Sequence, residues 1–153
     1  MSSDYEIPRL KKHVLIALTD ETRIQANIYL NIPPSGASNS QALSDFVNNS
    51  KEDYFPAHLE NEQFFLINKN QILYIQETTK SQKEMTNTDF KSVMLYFPHA
   101  KIKVDLHFNL LEHEQRLTDA LNQQEKFLHC YQYDCLSFIN KKHVVKVTQF
   151  DTE

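Results

Sequence analysis

Hydrophobic residues in the first half of the chain fall into short runs that predict β-strands. Residues 14–18 form an apolar run of the length expected for a buried strand. After a polar turn, residues 23–30 alternate between polar and apolar side chains, which places Ile24, Ala26 and Ile28 on one face. This alternation predicts a half-buried strand that follows the buried one.

The second half of the chain repeats this pattern in the same order. Residues 93–97 are again a short apolar run, and residues 101–108 alternate so that Ile102, Val104 and Leu106 share the inward face. A short turn separates the two runs in each half. We therefore predict that each half of the chain begins with a pair of strands.

A short helix is predicted after each strand pair. Residues 43–48 and 117–122 share the pattern Leu-Ser/Thr-Asp-x-x-Asn. Ser44 and Thr118 are typical N-cap residues, the Asp beside each cap favours the positive end of a helix, and the final Asn can end it. The pattern predicts one short helix between the second and third strands of each half.

The remaining segments predict three further strands in each half. Tyr54 aligns with Lys126 in the third strand. Residues 64–75 align with residues 136–147, and each segment predicts two strands around a polar turn that opens with Asn-Lys. We expect both segments to be hairpins, in which Asn adopts the left-handed conformation that glycine would otherwise supply.

Four blocks that recur in one order predict a tandem duplication. We predict a mainly β fold made of two five-stranded small barrels, each with one short helix between its second and third strands. The first module covers residues 10–77, a polar linker covers residues 78–90, and the second module covers residues 91–150. Because a unit of this size has little core volume, we expect the modules to pack on each other or on a second chain.

This arrangement resembles the Sm-like family of small β-barrels. Residues 67–72, Ile-Asn-Lys-Asn-Gln-Ile, are similar to the family's second motif, a hairpin with a basic residue at its turn, and the Asp and Asn of each helical segment resemble its first motif. Residues 116–122 nearly reproduce the Arg-Leu-Ser-Asp-x-Leu-Asn motif of a group of small bacterial proteins. The resemblance implies a small barrel and RNA binding, although neither closing turn carries the family's glycine and the Asp-to-Asn spacing is shorter.

Charge and glycine content narrow the classes of function. The chain has 16 basic and 20 acidic residues, a formal net charge of −4 and a pI near 6.0, which weighs against binding nucleic acid mainly through phosphates. Its single glycine, Gly36, excludes the dinucleotide fingerprint, the P-loop and the Gly-flanked nucleophile elbow, since each needs several glycines.

The sequence also predicts a cellular location. Residues 1–9 are polar and do not resemble a signal peptide, and no apolar run approaches the length needed to span a bilayer. Cys130 and Cys135 are a lone close pair, which favours reduced thiols over a disulfide. We therefore predict a cytoplasmic protein that does not contact a membrane.

Two sets of polar residues are candidates for ligand binding. The Asp and Asn of each helical segment could contact a base edge or a ribose, as the Sm-like resemblance implies, but the same residues are suited to cap and end a short helix. Lysines at the predicted hairpin tips could reach phosphate, but lysine is also an ordinary solvated turn residue. The candidates are Asp45, Asn48, Asp119 and Asn122 in the helical segments, and Lys69, Lys141 and Lys142 at the tips.

Candidates for catalysis or metal binding are weaker. His107 and residues 112–114, Glu-His-Glu, form the densest group of metal-ligand types, but neighbouring side chains on an extended loop point in opposite directions. His129 with the two cysteines matches no zinc-finger spacing. We predict no enzymatic activity, no cofactor and no metal site. A hydrolase or metal-dependent enzyme built around His107 and His113 is the least favoured alternative.

The sequence leads to two main hypotheses of function. The first is a non-enzymatic module that binds another protein or assembles with itself as a homo-oligomer, because duplicated β modules offer open strand edges. The second is a single-stranded RNA-binding Sm-like protein that uses the Asp and Asn residues together with the turn lysines.

Overall fold

The computed structural model describes residues 9–32, 39–80, 90–107, 117–122 and 125–149. The elements of the first half are β1 (Arg9–Leu18), β2 (Arg23–Asn31), α1 (Asn39–Asn48), β3 (Tyr54–His58), β4 (Phe64–Asn68), a 3-10 turn (Lys69–Gln71) and β5 (Ile72–Glu77). Those of the second half are β6 (Phe90–Phe97), β7 (Ala100–His107), α2 (Leu117–Leu121), β8 (Phe127–Gln132), β9 (Cys135–Asn140), a 3-10 turn (Lys141–His143) and β10 (Lys146–Gln149).

The strands form where the hydrophobic pattern places them. In β2, Ala26, Ile28 and Leu30 are buried, and the residues between them face outward, as the alternation predicts. In β7, Val104 and Leu106 are buried in the same way. The prediction of a mainly β fold is therefore confirmed, and both halves contain the predicted order of two strands, a helix and three strands.

The predicted helix starts are wrong. α1 begins at Asn39, so that Ser44 lies inside the helix, and Thr118 is the second residue of α2. α1 starts earlier because the added turn buries Ala42 next to Leu43 against the sheet. Within the described residues, no helix is long and apolar enough to cross a membrane.

All ten strands belong to one antiparallel sheet, in the order β10-β6-β7-β8-β9-β5-β1-β2-β3-β4. Each half contributes five adjacent strands, and the internal order of the two sets is the same. The halves join where β5 pairs with β9, in the register Tyr74 opposite Ile139, Ile75 opposite Phe138 and Gln76 opposite Ser137. The two halves therefore share one β structure, and β4 and β10 are its edges within the described part of the chain.

The two predicted closing hairpins are wrong. β4 pairs with β3 and β5 pairs with β1, because a 3-10 turn separates β4 from β5 and directs them to different places in the sheet. The same holds for β9 and β10. Asn68 and Asn140 are extended, not left-handed, and the side chain of each accepts a hydrogen bond from the amide two residues later.

Two hydrophobic clusters form on opposite faces of the sheet at this junction. Because side chains alternate along a strand, Ile75 and Phe138 enter the cluster of the first half, whereas Tyr74 and Ile139 enter that of the second. The first cluster also contains Phe127, Tyr131 and Leu136 from β8 and β9. Each half thus completes its core with side chains of the other.

Candidate functional site

Asn48, predicted as a ligand-binding or helix-ending residue, joins the two halves. It is the last residue of α1, which confirms that it ends the helix. Its Oδ1 accepts a hydrogen bond from the amide of Phe127 at 2.8 Å, and its Nδ2 donates to the carbonyl of Phe127 at 3.4 Å. The side-chain amide of Asn48 therefore bonds both backbone groups of Phe127, as a residue of a neighbouring strand would.

Asp45 lies one turn before Asn48 and stabilises the end of the same helix. Its Oδ1 accepts hydrogen bonds from Gln41 Nε2 at 2.7 Å and from Asn49 Nδ2 at 2.9 Å. Its backbone carbonyl accepts from the amides of Asn49 and Ser50, which closes the last turn. These contacts account for Asp45 through helix structure.

Lys69 is not at an exposed tip, which corrects the sequence prediction. It is 8% exposed, and its Nζ donates to the carbonyls of Phe46 (3.2 Å) and Ser50 (3.3 Å) at the C-terminal end of α1. Nζ also lies 5.7 Å from the centre of the Phe46 ring. Burial lowers the pKa of Lys69. The first-half candidates therefore meet at the C-terminal end of α1. There Asn48 bonds across the junction, whereas Asp45 and Lys69 bond within the first half and stabilise the end of the helix.

The corresponding residues of the second half are more exposed. Asp119 and Asn122 are exposed, and the amide of Asn122 donates to the carbonyl of Thr118 at 3.1 Å. Lys141 is half-buried and Lys142 is exposed. The structure brings Asn122 and Lys141 together at a groove of about 500 Å³ between α2 and β10. We call this the α2–β10 groove; its apolar lining includes Leu117, Leu121, Leu128, Val144 and Val147.

One face of β8 and β9 is buried by the first half. Residues that lie opposite each other in antiparallel strands point to the same face of the sheet. The pairing of β8 with β9 therefore brings four apolar side chains together on the face that the first half covers. We call it the β8–β9 face; it consists of Phe127, Tyr131, Leu136 and Phe138. All four belong to the first-half cluster, and α1 packs against both strands.

The corresponding face of β3 and β4 is exposed. Asn68 and Asn140 are equivalent residues; Asn68 pairs with Tyr54 of β3, and Asn140 pairs with Phe127 of β8. Tyr54 therefore corresponds to Phe127, and the alignment of Tyr54 with Lys126 in the sequence analysis is shifted by one residue. Tyr54, Phe64 and Leu66 are 56%, 55% and 64% exposed. With His58 they form what we call the β3–β4 face, an apolar patch beside the open edge of β4.

The histidine and cysteine candidates that the structure describes lie in β7, β8 and β9. His107 and His129 lie side by side, with ring centres 5.2 Å apart, and His129 stacks on Phe138. Burial, followed by the neighbouring His107, lowers the pKa of His129 to about 4. Cys130 and Cys135 are free and buried, and burial raises the thiol pKa of Cys130 well above its usual value.

The metal-site alternative finds no support in the described part of the chain. Residues 112–114, including His113, lie outside the described residues. Among the residues that are described, no three His, Cys, Asp or Glu side chains are grouped so that they could hold a metal ion.

The sequence patterns described above do not predict the exposed β3–β4 face. A signal was present, because residues 64–66, Phe-Phe-Leu, are three consecutive apolar residues next to a polar turn. A continuous apolar run normally indicates a strand covered on both faces. Here the run belongs to an edge strand, which has no neighbour on one side within the described sheet.

Comparisons with protein-family models, with curated proteins and with solved structures find no match. The resemblance to Sm-like proteins therefore stays a hypothesis based on short sequence motifs.

Proposed function

We propose that the protein is a non-enzymatic module that assembles with itself through the open edges of its sheet. The observation that carries this proposal is the pairing of β5 with β9, which joins two sets of five strands with the same internal order. In each set, the fifth strand is at one edge and the fourth strand is at the other. β10 and β4 are the fifth and fourth strands that the internal junction leaves unpaired within the described residues.

A tandem duplication explains why such a junction exists within one chain. The 3-10 turns supply residue-level support, since Asn68 and Asn140 make the same side-chain hydrogen bond. The next residue in each half, Lys69 or Lys141, donates its amide to the carbonyl just before the third strand, at 2.8 and 3.0 Å. In this proposal the two modules arose from one unit that paired with copies of itself.

Edge strands rarely stay open without protection. Natural proteins usually shield them with charge, proline or a covering segment, because exposed backbone donors and acceptors pair readily with another chain. β4 carries neither charge nor proline, since its sequence is Phe-Phe-Leu-Ile-Asn. Its first three residues are at least half exposed, so no described segment covers them. Such an edge suits β-strand addition.

The RNA-binding alternative receives less support. Lys69 directs its amine to carbonyls at the end of α1, and Asn48 is bonded to the backbone of Phe127. Neither group is oriented toward a ligand. The cytoplasmic location also stays a proposal, supported by the two free thiols.

Light scattering coupled to size-exclusion chromatography over a concentration series tests self-assembly. We expect the mass to rise with concentration above the 18.0 kDa of one chain. Leu66→Lys places a charge on the open β4 edge and should keep the protein monomeric. Tyr133→Lys is the matched control, because Tyr133 is 86% exposed in the turn between β8 and β9.

A wild-type protein that stays monomeric up to its solubility limit would overturn the proposal. Equal assembly of the Leu66→Lys variant and the wild type would overturn the role of β4. Circular dichroism of each variant verifies that the fold is retained.

A further inference from the structure

We infer that the copies join head to tail, with the β3–β4 face of one copy seated in the α2–β10 groove of the next. This inference rests on the proposed self-assembly and specifies its geometry. The internal junction is the template: there, the β8–β9 face is covered by α1 and β5 of the other half. The corresponding elements of the second half are α2 and β10, and between them lies the groove.

The β3–β4 face and the α2–β10 groove carry apolar side chains at the positions that are apolar in the internal junction. At the internal junction, Phe138 of β9 lies opposite Ile75 of β5, and both are fully buried. Leu66 occupies the position of Phe138, and Val147 that of Ile75. Leu66 is 64% exposed and Val147 is half-buried, so both have apolar surface left to cover.

The template also fixes a register. Gln76, Ile75 and Tyr74 lie opposite Ser137, Phe138 and Ile139 within the chain. Between copies, the equivalent pairs are Leu66 opposite Val147, Ile67 opposite Lys146 and Phe65 opposite Thr148. The symmetric alternatives, β4 against β4 or β10 against β10, have no counterpart in the described structure.

A second contact of the internal junction has an unfilled equivalent. Asn48 ends α1 and pairs with both backbone groups of Phe127. Asn122 follows α2, is exposed and lines the α2–β10 groove. Since Tyr54 corresponds to Phe127, docking brings the side-chain amide of Asn122 to the backbone of Tyr54 in the next copy.

Charge favours the contact between copies. At the internal junction, Lys126 of the second half acts electrostatically on Lys69 of the first and contributes to lowering its pKa. Both residues have counterparts at the surfaces that the internal junction leaves open. Lys141 corresponds to Lys69, because both begin the 3-10 turn. Asp53 corresponds to Lys126, because each immediately precedes the third strand of its half and its carbonyl accepts a hydrogen bond from the amide of the lysine that begins the 3-10 turn of that half. The like-charge pair Lys69–Lys126 within the chain is thus replaced, between copies, by the opposite-charge pair Lys141–Asp53.

Mixed single-cysteine variants test the geometry. Leu66→Cys and Val147→Cys are purified separately and oxidised alone, then as an equimolar mixture, and disulfide-linked dimers are counted on non-reducing gels. Directly opposed residues of antiparallel strands have Cα atoms about 4.5 or 5.5 Å apart, and both distances suit a disulfide. The native thiols are buried, and the wild-type protein serves as a control for their reaction.

We expect a strong dimer band in the mixture and only background in either variant alone. A band with Leu66→Cys alone would indicate β4 against β4 and overturn the inference, while leaving self-assembly intact. No dimer in any sample from a protein that assembles by light scattering would also overturn it. His99→Cys mixed with Leu66→Cys is the control for random collision, because His99 lies in the exposed turn between β6 and β7.

Asn122→Ala provides a readout that loss of folding cannot imitate. We expect assembly to weaken by about ten-fold in dissociation constant, because the backbone of Tyr54 loses its partner. The stability of the single chain should stay unchanged, since the Asn122 side chain is exposed. Unchanged assembly of this variant would remove Asn122 from the interface.

Discussion

The side chain of Asn48 and the backbone of Phe127 form a two-way hydrogen-bonded pair across the junction between the halves of the chain. The two residues are far apart in sequence, yet the amide of one supplies both the donor and the acceptor that the other needs. The pair is partly buried, and it links the C-terminal end of α1 to the first residue of β8.

Replacing Asn48 with Ala should destabilise the protein substantially. The change leaves a partly buried donor and acceptor of Phe127 without partners, which costs about 1–3 kcal/mol in the free energy of unfolding. Urea unfolding followed by circular dichroism measures the loss. Asn49→Ala is the matched control, because Asn49 is exposed and its side chain contacts only Asp45 among the hydrogen bonds described. Equal stability of the two variants would contradict the role assigned to Asn48.

Lys69→Met should lower stability, whereas Lys142→Met should not. Methionine keeps most of the apolar stem of Lys69 but removes the hydrogen bonds to the carbonyls of Phe46 and Ser50, so we expect a loss of about 1–3 kcal/mol. Lys142 is exposed, and its substitution should change stability by less than about 0.5 kcal/mol. Both values come from urea unfolding at neutral pH. The reverse ranking would show that the amine of Lys69 does not stabilise α1.

His129 should make stability depend on pH in the mildly acidic range. Its pKa is about 4 in the folded protein, against 6.5 for an unperturbed histidine, so the unfolded chain binds more protons between these values. The free energy of unfolding therefore rises from pH 4 to pH 6.5, with a contribution from His129 of about 3 kcal/mol.

His129→Phe tests this dependence and keeps an aromatic ring to stack on Phe138. The stability difference between wild type and variant, measured by urea unfolding from pH 4 to pH 7.5, should favour the wild type more as the pH rises and level off above pH 6.5. His99→Gln is the control, because His99 is exposed in a turn. A difference that does not vary with pH would falsify this assignment.

The two thiols should resist modification in the folded protein. Cys130 is fully buried and has a raised thiol pKa, and Cys135 is 7% exposed, so few reactive thiolates are accessible. With Ellman's reagent we expect almost no rapid reaction in buffer and two thiols per chain in denaturant. Rapid reaction of a full equivalent in buffer would mean that β8 or β9 opens readily.

The strands and the presence of the two helices could be predicted, because they depend on the order of polar and apolar residues within short segments. Alternation of side chains sets which face of β2 and β7 is buried, and this holds whatever the strand pairs with. The presence of one helix in each half follows from the shared pattern Leu-Ser/Thr-Asp-x-x-Asn, and α1 ends at Asn48 as that pattern indicates. The exact start of α1 could not be predicted, since it depends on burying Ala42 against the sheet.

The candidate site was only half predicted. Asn48 was identified, but its partner Phe127 belongs to the other half, and no local pattern connects them. Lys69 and Lys141 occupy the same position in similar turn sequences, yet Lys69 is buried at a helix end and Lys141 is only half-buried. Side-chain environment is a property of the packing between segments, which a single segment does not determine.

The sequence by itself determined the strands, the two short helices and their repeated order, because these follow from short-range periodicity and turn residues. Only the tertiary structure decided that β4 and β5 separate, that β5 pairs with β9, and that β4 and β10 are left as edges. Strand pairing uses backbone groups that every residue carries. The choice of partner therefore depends on which side chains meet across the sheet, and that is settled when the two halves pack together.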